Sequence, residues 1–418
     1  MLLIWNYDIA VIGGGAAGCM AAGQAAACGK QVVLIEKNTR IARKVGITGK
    51  GRCNVTNHTE LQSLIQNIPQ GGKFLYGALS RFSSADCMAF FESLGVPLKT
   101  ERGARVFPVS DQAFDIVDAL DRFLKQNRVS RLTGEAAEIL TENNCVCGVR
   151  LKDGKQIHAK AVILATGGLS YPGTGSTGDG YRMAAALGHT VTPLIPSLVP
   201  LLIQEKDCPQ MQGLSLKNIT LTVLDTKTNT VIYSQLGEML FTHFGVSGPL
   251  VLSASAHMRP MEPSRYRLQI DLKPALSKEQ LDARVLRDFS DHLNSDLLHA
   301  LGALLPRKSI PCIIQRSGID CHTKVHQITR VMRSALVESM KNFSLTVTGF
   351  APIAQAVITS GGISLKEVDP KTMASKRVPG LYFAGEILDV DAYTGGFNLQ
   401  IAWSTGYTAG KAAAEASP

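Results

Sequence analysis

Gly13-x-Gly15-x-x-Gly18 constrains this chain more than any other feature, because of what surrounds it. It follows an alternating apolar segment, Tyr7–Ile12, and opens a run of small residues, Ala16–Cys28, before a second apolar segment, Gln31–Glu36. Glycines so placed predict a βαβ unit. Gly13 makes the tight turn, Gly15 admits a close backbone approach, and Gly18 lets helix and strand pack together. The first helical amides, around Ala16 and Ala17, then face a pyrophosphate, and Glu36, ending the second strand, accepts hydrogen bonds from ribose hydroxyls. The fold class that follows is α/β, with a Rossmann-type dinucleotide domain at the start of the chain.

At 418 residues and 45% hydrophobic content the chain is globular and long enough for two or three cores. Its nine cysteines are odd in number and scattered, without a CxxC or a zinc-spaced cluster. That composition predicts reduced thiols, no structural metal and a cytoplasmic setting. The longest apolar stretches, such as Leu194–Ile203, are short and broken by Pro and Ser, which argues against a signal peptide or membrane span. A formal charge of +9 permits an anionic partner without requiring one. The oligomeric state is not legible.

Beyond the opening unit, amphipathic helices are expected near Ala85–Leu94 and Asp111–Gln126, and strands between Thr133 and Thr166, with an Asp153-Gly154 turn joining Val146–Leu151 to Gln156–Ala165. From Pro193 to Leu272 the chain alternates β-branched and polar residues, as in Ile219–Leu224 and Thr230–Ser234, which reads as an antiparallel sheet or barrel. Ser277–Leu305 and Lys324–Met340 read as helical. A buried strand returns at Leu381–Ala384, followed by a glycine-rich turn and a last helix, Asn398 to Ala414.

The later segments identify the dinucleotide as FAD. Ala161–Thr166, Gly167 and Gly168 form a strand ending in small residues, and Leu381–Glu386, which includes Gly385, brings a C-terminal strand to the same edge. A sheet split between chain ends around a large insert is typical of FAD-binding folds. Gly395 and Gly396 then open a helix whose first amides, at about Asn398, Leu399 and Gln400, have no partner within the helix. Placed at the pyrimidine edge of the flavin, they would stabilise the negative charge of its reduced form. A second fingerprint, Gly173-x-Gly175-x-x-Gly178, lies seven residues beyond its strand and lacks a following acid. It reads as a loop at the cofactor's edge, so a nicotinamide co-substrate has no Rossmann domain of its own.

Five blocks together carry a resemblance: GGGAAG at 13–18, TGKGRCNVTN at 48–57, GEMLFTHFGVSGP at 237–249, TSGGISLKEVDPKTM at 359–373 and GEILDVDAYTGGFNLQIAWSTG at 385–406. They resemble the aminoacetone oxidase-like, BaiN-like FAD-dependent oxidoreductases, flavoproteins distantly related to fumarate-reductase-type enzymes. The resemblance implies a glutathione-reductase-like FAD domain from both chain ends (1–192 and 355–418), a β-barrel-like substrate domain (193–273 and 342–354) and a small helical domain (274–341). It also implies that Gly49 and Gly51 bring backbone amides to the FAD and that Arg52, Cys53 and Asn54 lie near its flavin end. Lys37, Lys44 and Thr166 complete the cofactor candidates. Where many FAD folds place an Asp on the ribityl chain this sequence has Glu386, and either Glu386 or Asp389 takes that part.

Activities in such a family include reduction of conjugated C=C bonds in steroid-like bile-acid intermediates, dihydrouridine formation in ribosomal RNA, and oxidation of a small amine such as aminoacetone. The leading expectation is an ene-reductase that passes hydride from NADH or NADPH through FAD to a small unsaturated carbonyl compound. His243, within Phe241-Thr242-His243-Phe244, is the candidate proton donor, with Arg52 and Tyr393 as weaker ones; the alternative for His243 is a packed core histidine. RNA ranks lower. Arg122, Lys125, Arg128 and Arg131 recur every third residue, and Arg40, Arg43, Lys44, Lys50 and Arg52 cluster near the cofactor, yet no RNA-binding module accompanies them.

Overall fold

A computed structural model describes residues 5–416 and divides the chain into two compact units. One contains the residues up to Ser197 and those from Ile353 onward; the other spans Leu198–Pro352.

The first unit is built on a seven-stranded sheet. Its parallel centre comprises β1 (Trp5–Ile12), β2 (Val32–Glu36), β3 (Ser130–Thr133), β4 (Gln156–Leu164) and β5 (Leu381–Phe383). The spatial order is β3-β2-β1-β4, with β5 parallel to the last residues of β4 and an antiparallel meander of Ala136–Glu142 and Cys145–Leu151 on the outer side of β4. Strands covered on both faces must be apolar throughout, and Val32–Ile35 and Ala161–Leu164 are accordingly buried run by run rather than alternately.

Two helices close one face of this sheet at short range: α1 (Ala16–Ala27), and the last helix of the chain, Phe397–Ala416. A Cβ on Gly406 would overlap the carbonyl oxygen of Ala17, and one on Gly410 that of Ala21. The small-residue run of the N-terminal helix therefore has a packing cause, since only glycine and alanine surfaces let two backbones approach so closely.

The second unit holds a closed six-stranded barrel. Its strands run in the order Leu201–Ile203, Gly245–Ser247, Thr230–Phe241, Ser215–Asp225, Tyr266–Asp271 and Phe343–Phe350, the last pairing back to the first. Along Ser215–Asp225 the residues Ile219, Leu221 and Val223 are buried while their neighbours face outward, the period of two expected of a one-sided strand. Leu281, Val285, Ile313, Leu336 and Met340 of the helical segment 274–341 enter the same apolar cluster as Leu221, Leu268 and Leu345 of the barrel, so barrel and helices share one core.

The helix expected over Ser277–Leu305 ends at Ser290 and is followed by turns and a short helix at Leu297–Ala300. Asp291, Asn294 and Ser295 offer polar side chains that compete with helical bonding, and the backbone closes into turns at His292 and Ser295. No helix among the described residues is long and apolar enough to cross a membrane, and no cluster of His, Cys, Asp and Glu among them could hold a metal ion.

Candidate functional site

The site is assembled where β1, β4 and β5 end. Gly13 donates its amide to the Ile35 carbonyl at 2.9 Å, so the turn after β1 is tied to β2. Gly18 lies so close beneath it that a Cβ there would overlap the Gly13 carbonyl oxygen. Gly15 is the N-cap of α1, with φ −76° and no side-chain cap. The amide of Cys19 takes the Gly15 carbonyl at 2.9 Å, which leaves the amides of Ala16, Ala17 and Gly18 without a helical partner. A Cβ on Gly15 would meet nothing within 4 Å. Free amides under open space form an anion cradle.

Glu36 sits beside this turn, partly buried. One of its oxygens accepts from the Gly14 amide at 2.7 Å, and the other from the Asn38 amide at 2.8 Å and side chain at 2.7 Å. A carboxylate has about four acceptor positions, so Glu36 keeps one for a ligand hydroxyl. Lys37 is not aimed at a phosphate: its Nζ donates to Thr177 Oγ1 at 2.5 Å and to Asp179 Oδ2 at 2.8 Å. Asn38 adds a bond to the Thr174 carbonyl at 3.1 Å. The second glycine fingerprint is thus a clasp over the end of β2, and Asp179 begins α2 (Asp179–Ala186).

Burial opposes ionisation of Asp179, but hydrogen bonds from Lys37, Thr177 and Arg182 prevail and hold its carboxyl well below the usual carboxylate range. A depressed carboxylate contributes stability that is complete above its unfolded pKa, near about 4, and is lost only as pH falls through the folded value in strong acid. Asp179→Asn should therefore loosen the clasp at neutral pH. The expected result is cofactor release faster by roughly fivefold, the equivalent of about 1 kcal/mol, measured by displacement of the bound dinucleotide.

Lys44 reaches across the site to the C-terminal strand. Its Nζ donates to Glu386 Oε2 at 2.8 Å and to Ser170 Oγ at 2.6 Å. Glu386 Oε1 accepts from Ser170 Oγ and from the Thr359 amide, each at 2.8 Å. Three of its acceptor positions are filled, so Glu386 first joins four chain segments and retains one position, while Asp389 lies partly buried three residues on. Gly385 bonds through its amide to Thr405 Oγ1 at 2.9 Å, and a Cβ there would come within 2.8 Å of Ala17 Cβ. Next to Gly13, Thr166 Oγ1 is buried and has no hydrogen-bond partner. Gly167 and Gly168 pack without side chains against Ser176 and Thr359.

The polar loop 48–54 forms the other wall. Gly49 and Lys50 are left-handed, at φ 58° and 59°, and Cys53 also, at φ 58°. Its backbone is fixed by the Cys53 amide on the Thr48 carbonyl at 3.0 Å. A Cβ on Gly51 would meet nothing within 4 Å, another open backbone approach. Burial pushes the Cys53 thiol up to about 12, so it is an inert filler rather than a nucleophile.

Arg52 is committed to protein carboxylates. Nη2 lies 2.5 Å from Glu101 Oε1 and from Asp111 Oδ1, and the guanidinium stacks 4.2 Å above the Phe107 ring. These bonds hold its pKa above the ordinary arginine value, with Glu101 the larger influence. Asn54 Oδ1, by contrast, is buried and unbonded, 2.9 Å from where a Cβ on Gly396 would be.

The C-terminal helix starts one residue earlier than expected, which moves its free amides. Gln400 donates its amide to the Gly396 carbonyl at 3.0 Å. The amides lacking a helical carbonyl are those of Phe397, Asn398 and Leu399. The Gln400 side chain faces the core: Nε2 donates to the Phe82 carbonyl and Ser404 Oγ at 2.9 Å, and Oε1 accepts from Thr56 at 2.6 Å. Fully buried and fully bonded, it supports the helix start instead of reaching a ligand. Asn398 likewise spends its side chain on the Ala392 backbone, at 2.7 and 3.0 Å. Leu399 and Tyr393 are partly buried, and the Tyr393 amide bonds the Asn67 carbonyl at 3.0 Å.

His243 lies in the barrel unit, in the turn after Phe241. Its ring is exposed and set edge-on to Phe244 at 4.9 Å, which excludes the packed core histidine. Residues that the sequence did not nominate hold the cradle together: Ser170 and Thr359 on Glu386, Thr177 and Asp179 on Lys37, Glu101 and Asp111 on Arg52. None carries a local signal, because each acts through a partner remote in sequence.

These observations fit FAD. A dinucleotide needs a cradle of free amides, an acid with an acceptor to spare, and polar atoms awaiting a partner; α1 with Glu36, Thr166 Oγ1 and Asn54 Oδ1 supply them. Residues 7–412 match the family described as the HI0933-like protein Rossmann domain. The chain is 33% identical over 415 residues to the 3-dehydro-bile acid delta(4,6)-reductase of Clostridium scindens, covering 97% of this chain and 99% of that protein. To the ribosomal RNA dihydrouridine synthase of Escherichia coli it is 30% identical over 407 residues, 96% of each chain. Among solved structures, the 3-ketosteroid delta1-dehydrogenase of Sterolibacterium denitrificans has the same fold at 14% identity, with a TM-score of 0.53 over 98% of this chain and 99% of that one.

Proposed function

The chain belongs to the HI0933-like Rossmann family of FAD flavoproteins, and we propose that it reduces a conjugated C=C bond of an unsaturated ketone, a 3-oxo steroid-like enone or dienone, with electrons from NADH or NADPH. FAD, when bound, supplies two-electron hydride chemistry. In net terms a hydride reaches the carbon β or δ to the ketone and a proton completes the saturated product.

The chain's own residues set the conditions for that chemistry. Ala16, Ala17 and Gly18 would hold the pyrophosphate, and Glu36 would orient the adenosine ribose with its remaining acceptor position. Amides of Phe397, Asn398 and Leu399, at the positive end of a 20-residue helix, would stabilise negative charge on the ring system. Asn54 Oδ1, buried and without a partner, would be the acceptor for a donor of the same ring system. His243, exposed, is the proposed proton donor, and Tyr393 the reserve. Arg52 positions the loop 48–54 through Glu101 and Asp111.

A negative charge at residue 54 would oppose electron uptake without changing side-chain size. Asn54→Asp should lower the midpoint potential by about 30 to 60 mV, since a charged hydrogen bond is worth about 1.5–3 kcal/mol and about 1.4 kcal/mol is 30 mV for two electrons. A spectroscopic redox titration measures it. An unchanged potential with full FAD content would place Asn54 away from the ring.

One observation carries the choice of a small neutral substrate: most of the basic residues that could grip a phosphate backbone are already engaged. Lys44 pairs with Glu386, Arg52 with Glu101 and Asp111, and Lys125 and Arg131 with Asp121, while Arg122 bonds the Leu94 carbonyl. The second reading, uridine reduction in ribosomal RNA, draws on the formal charge of +9 and uses the same conjugated-bond chemistry. A salt titration of turnover separates them. Counterion release makes RNA binding fall steeply, with several phosphates costing about 10³-fold or more between 50 and 200 mM salt. Turnover of a neutral dienone should stay within about twofold over that range. If the dienone is inert and a uridine-bearing ribosomal RNA is reduced with a steep salt dependence, the second reading replaces the first.

A further inference from the structure

The barrel unit carries a cleft of about 260 Å³ that the flavin chemistry leaves unused. Leu216, Ile219, Leu272 and Leu305, all buried, give it apolar walls, and Lys217, exposed, and Lys273, half-buried, are the basic residues that line it. Leu216, Lys217 and Ile219 belong to the strand Ser215–Asp225, while Leu272 and Lys273 directly follow Tyr266–Asp271. Leu305 comes from the helical segment, so barrel and helices each contribute a wall.

Lys273 is held rigidly by its backbone and left free at its side chain. Its amide donates to Asp271 Oδ1 at 2.9 Å, and its carbonyl accepts from Lys341 Nζ at 3.1 Å. Asp271, the nearest acid in sequence, pairs at 2.6 Å with Lys341. Among the described residues no carboxylate or carbonyl lies within hydrogen-bond distance of the Lys273 ammonium, and Lys217 is equally without a partner. The charged group felt at Lys273 is another cation: burial first, and Arg284 second, hold its pKa below the ordinary lysine value.

A half-buried ammonium beside other cations is costly unless an anion joins it. Asp271 cannot serve, because Lys341 holds it. The required partner comes from outside and has two parts, an anionic head for the lysines and an apolar body for the leucine and isoleucine walls. At about 260 Å³ the cleft falls just below the roughly 300–1,000 Å³ of common ligand pockets, which suits a short aliphatic body and not a whole steroid.

We propose that this cleft binds a small amphipathic carboxylate, its head between Lys217 and Lys273 and its aliphatic body along Leu216, Ile219, Leu272 and Leu305. The site lies within the barrel unit and is independent of the function proposed above.

Octanoate is the probe, and octanol, of equal chain length and no charge, is its control. Calorimetric titration of the FAD-loaded protein should show octanoate binding at least tenfold tighter than octanol. Bound octanoate should also slow acetylation of Lys273, read by peptide mass spectrometry, while leaving exposed Lys50 unaffected. Lys273→Met should weaken octanoate at least tenfold with FAD content unchanged, and Lys273→Arg should retain most of the affinity. The proposal is overturned if octanoate does not bind the parent protein, if octanol binds as well, or if Lys273→Arg loses octanoate to the same extent as Lys273→Met. Protection of Lys50 equal to that of Lys273 would mark a nonspecific surface effect and overturn it too.

Discussion

Gly15→Val should fold normally and emerge colourless. At φ −76°, and with nothing within 4 Å of a Cβ, this position accepts a side chain in the free protein at no steric cost. What the valine fills is the space above the unpaired amides of Ala16, Ala17 and Gly18, where the pyrophosphate approaches. FAD affinity should fall at least a hundredfold, about 2.8 kcal/mol, with an unchanged circular dichroism spectrum. Gly18→Val tests the contrast. Its Cβ would overlap the Gly13 carbonyl oxygen, so it should weaken the fold itself. Full FAD occupancy in Gly15→Val would remove the α1 cradle from the account.

Gly396→Val should be the more damaging substitution to stability. Gly396 has φ +97°, a conformation costing an L-residue about 1–2 kcal/mol. A Cβ there would also overlap the backbone of Thr56, which pairs with Val106 in a small three-stranded sheet and cannot give way alone. Together the strain and overlap should lower unfolding free energy by about 3 kcal/mol or more, measured by urea denaturation. Close packing against Thr56 also makes this variant a poor probe of flavin potential, since a displaced helix start would disturb several contacts together. Asn54→Asp reads the potential with less disturbance. A Gly396→Val protein as stable as the parent would mean that the loop 395–396 is not held against Thr56.

What could be read in the sequence was whatever repeats locally. The turn after β1 declares itself because Gly13, Gly15 and Gly18 must meet geometric demands within six residues, and the barrel strand because burial alternates with a period of two from Ile219 to Asp225. Side-chain duties within the cradle were far less visible. Lys44 and Glu386 are 342 residues apart, and nothing near either residue names the other. Lys37 is a fair cofactor candidate by position, and only the folded chain shows Asp179 and Thr177 taking its charge. Gln400 misled for a similar reason: one residue of uncertainty in the helix start decides whether its amide is free, and its side chain turns to Phe82 and Thr56 in the core. The break after Ser290 is not legible because Val285, Phe289 and Leu293 continue an i, i+4 apolar spacing across residues that prefer turns.

The most direct test of an FAD enzyme that reduces conjugated C=C bonds is anaerobic rapid mixing of the chemically reduced holoprotein with candidate acceptors, following recovery of the oxidised-flavin spectrum. A 3-oxo-4,6-diene steroid, a uridine-bearing ribosomal RNA, aminoacetone and a saturated 3-oxo steroid form the panel. The account predicts rapid recovery with the dienone, one saturated C=C bond per FAD oxidised by mass spectrometry, and no recovery with the saturated ketone. Recovery only on admitting oxygen, with aminoacetone consumed by the oxidised protein and the dienone untouched, would contradict it.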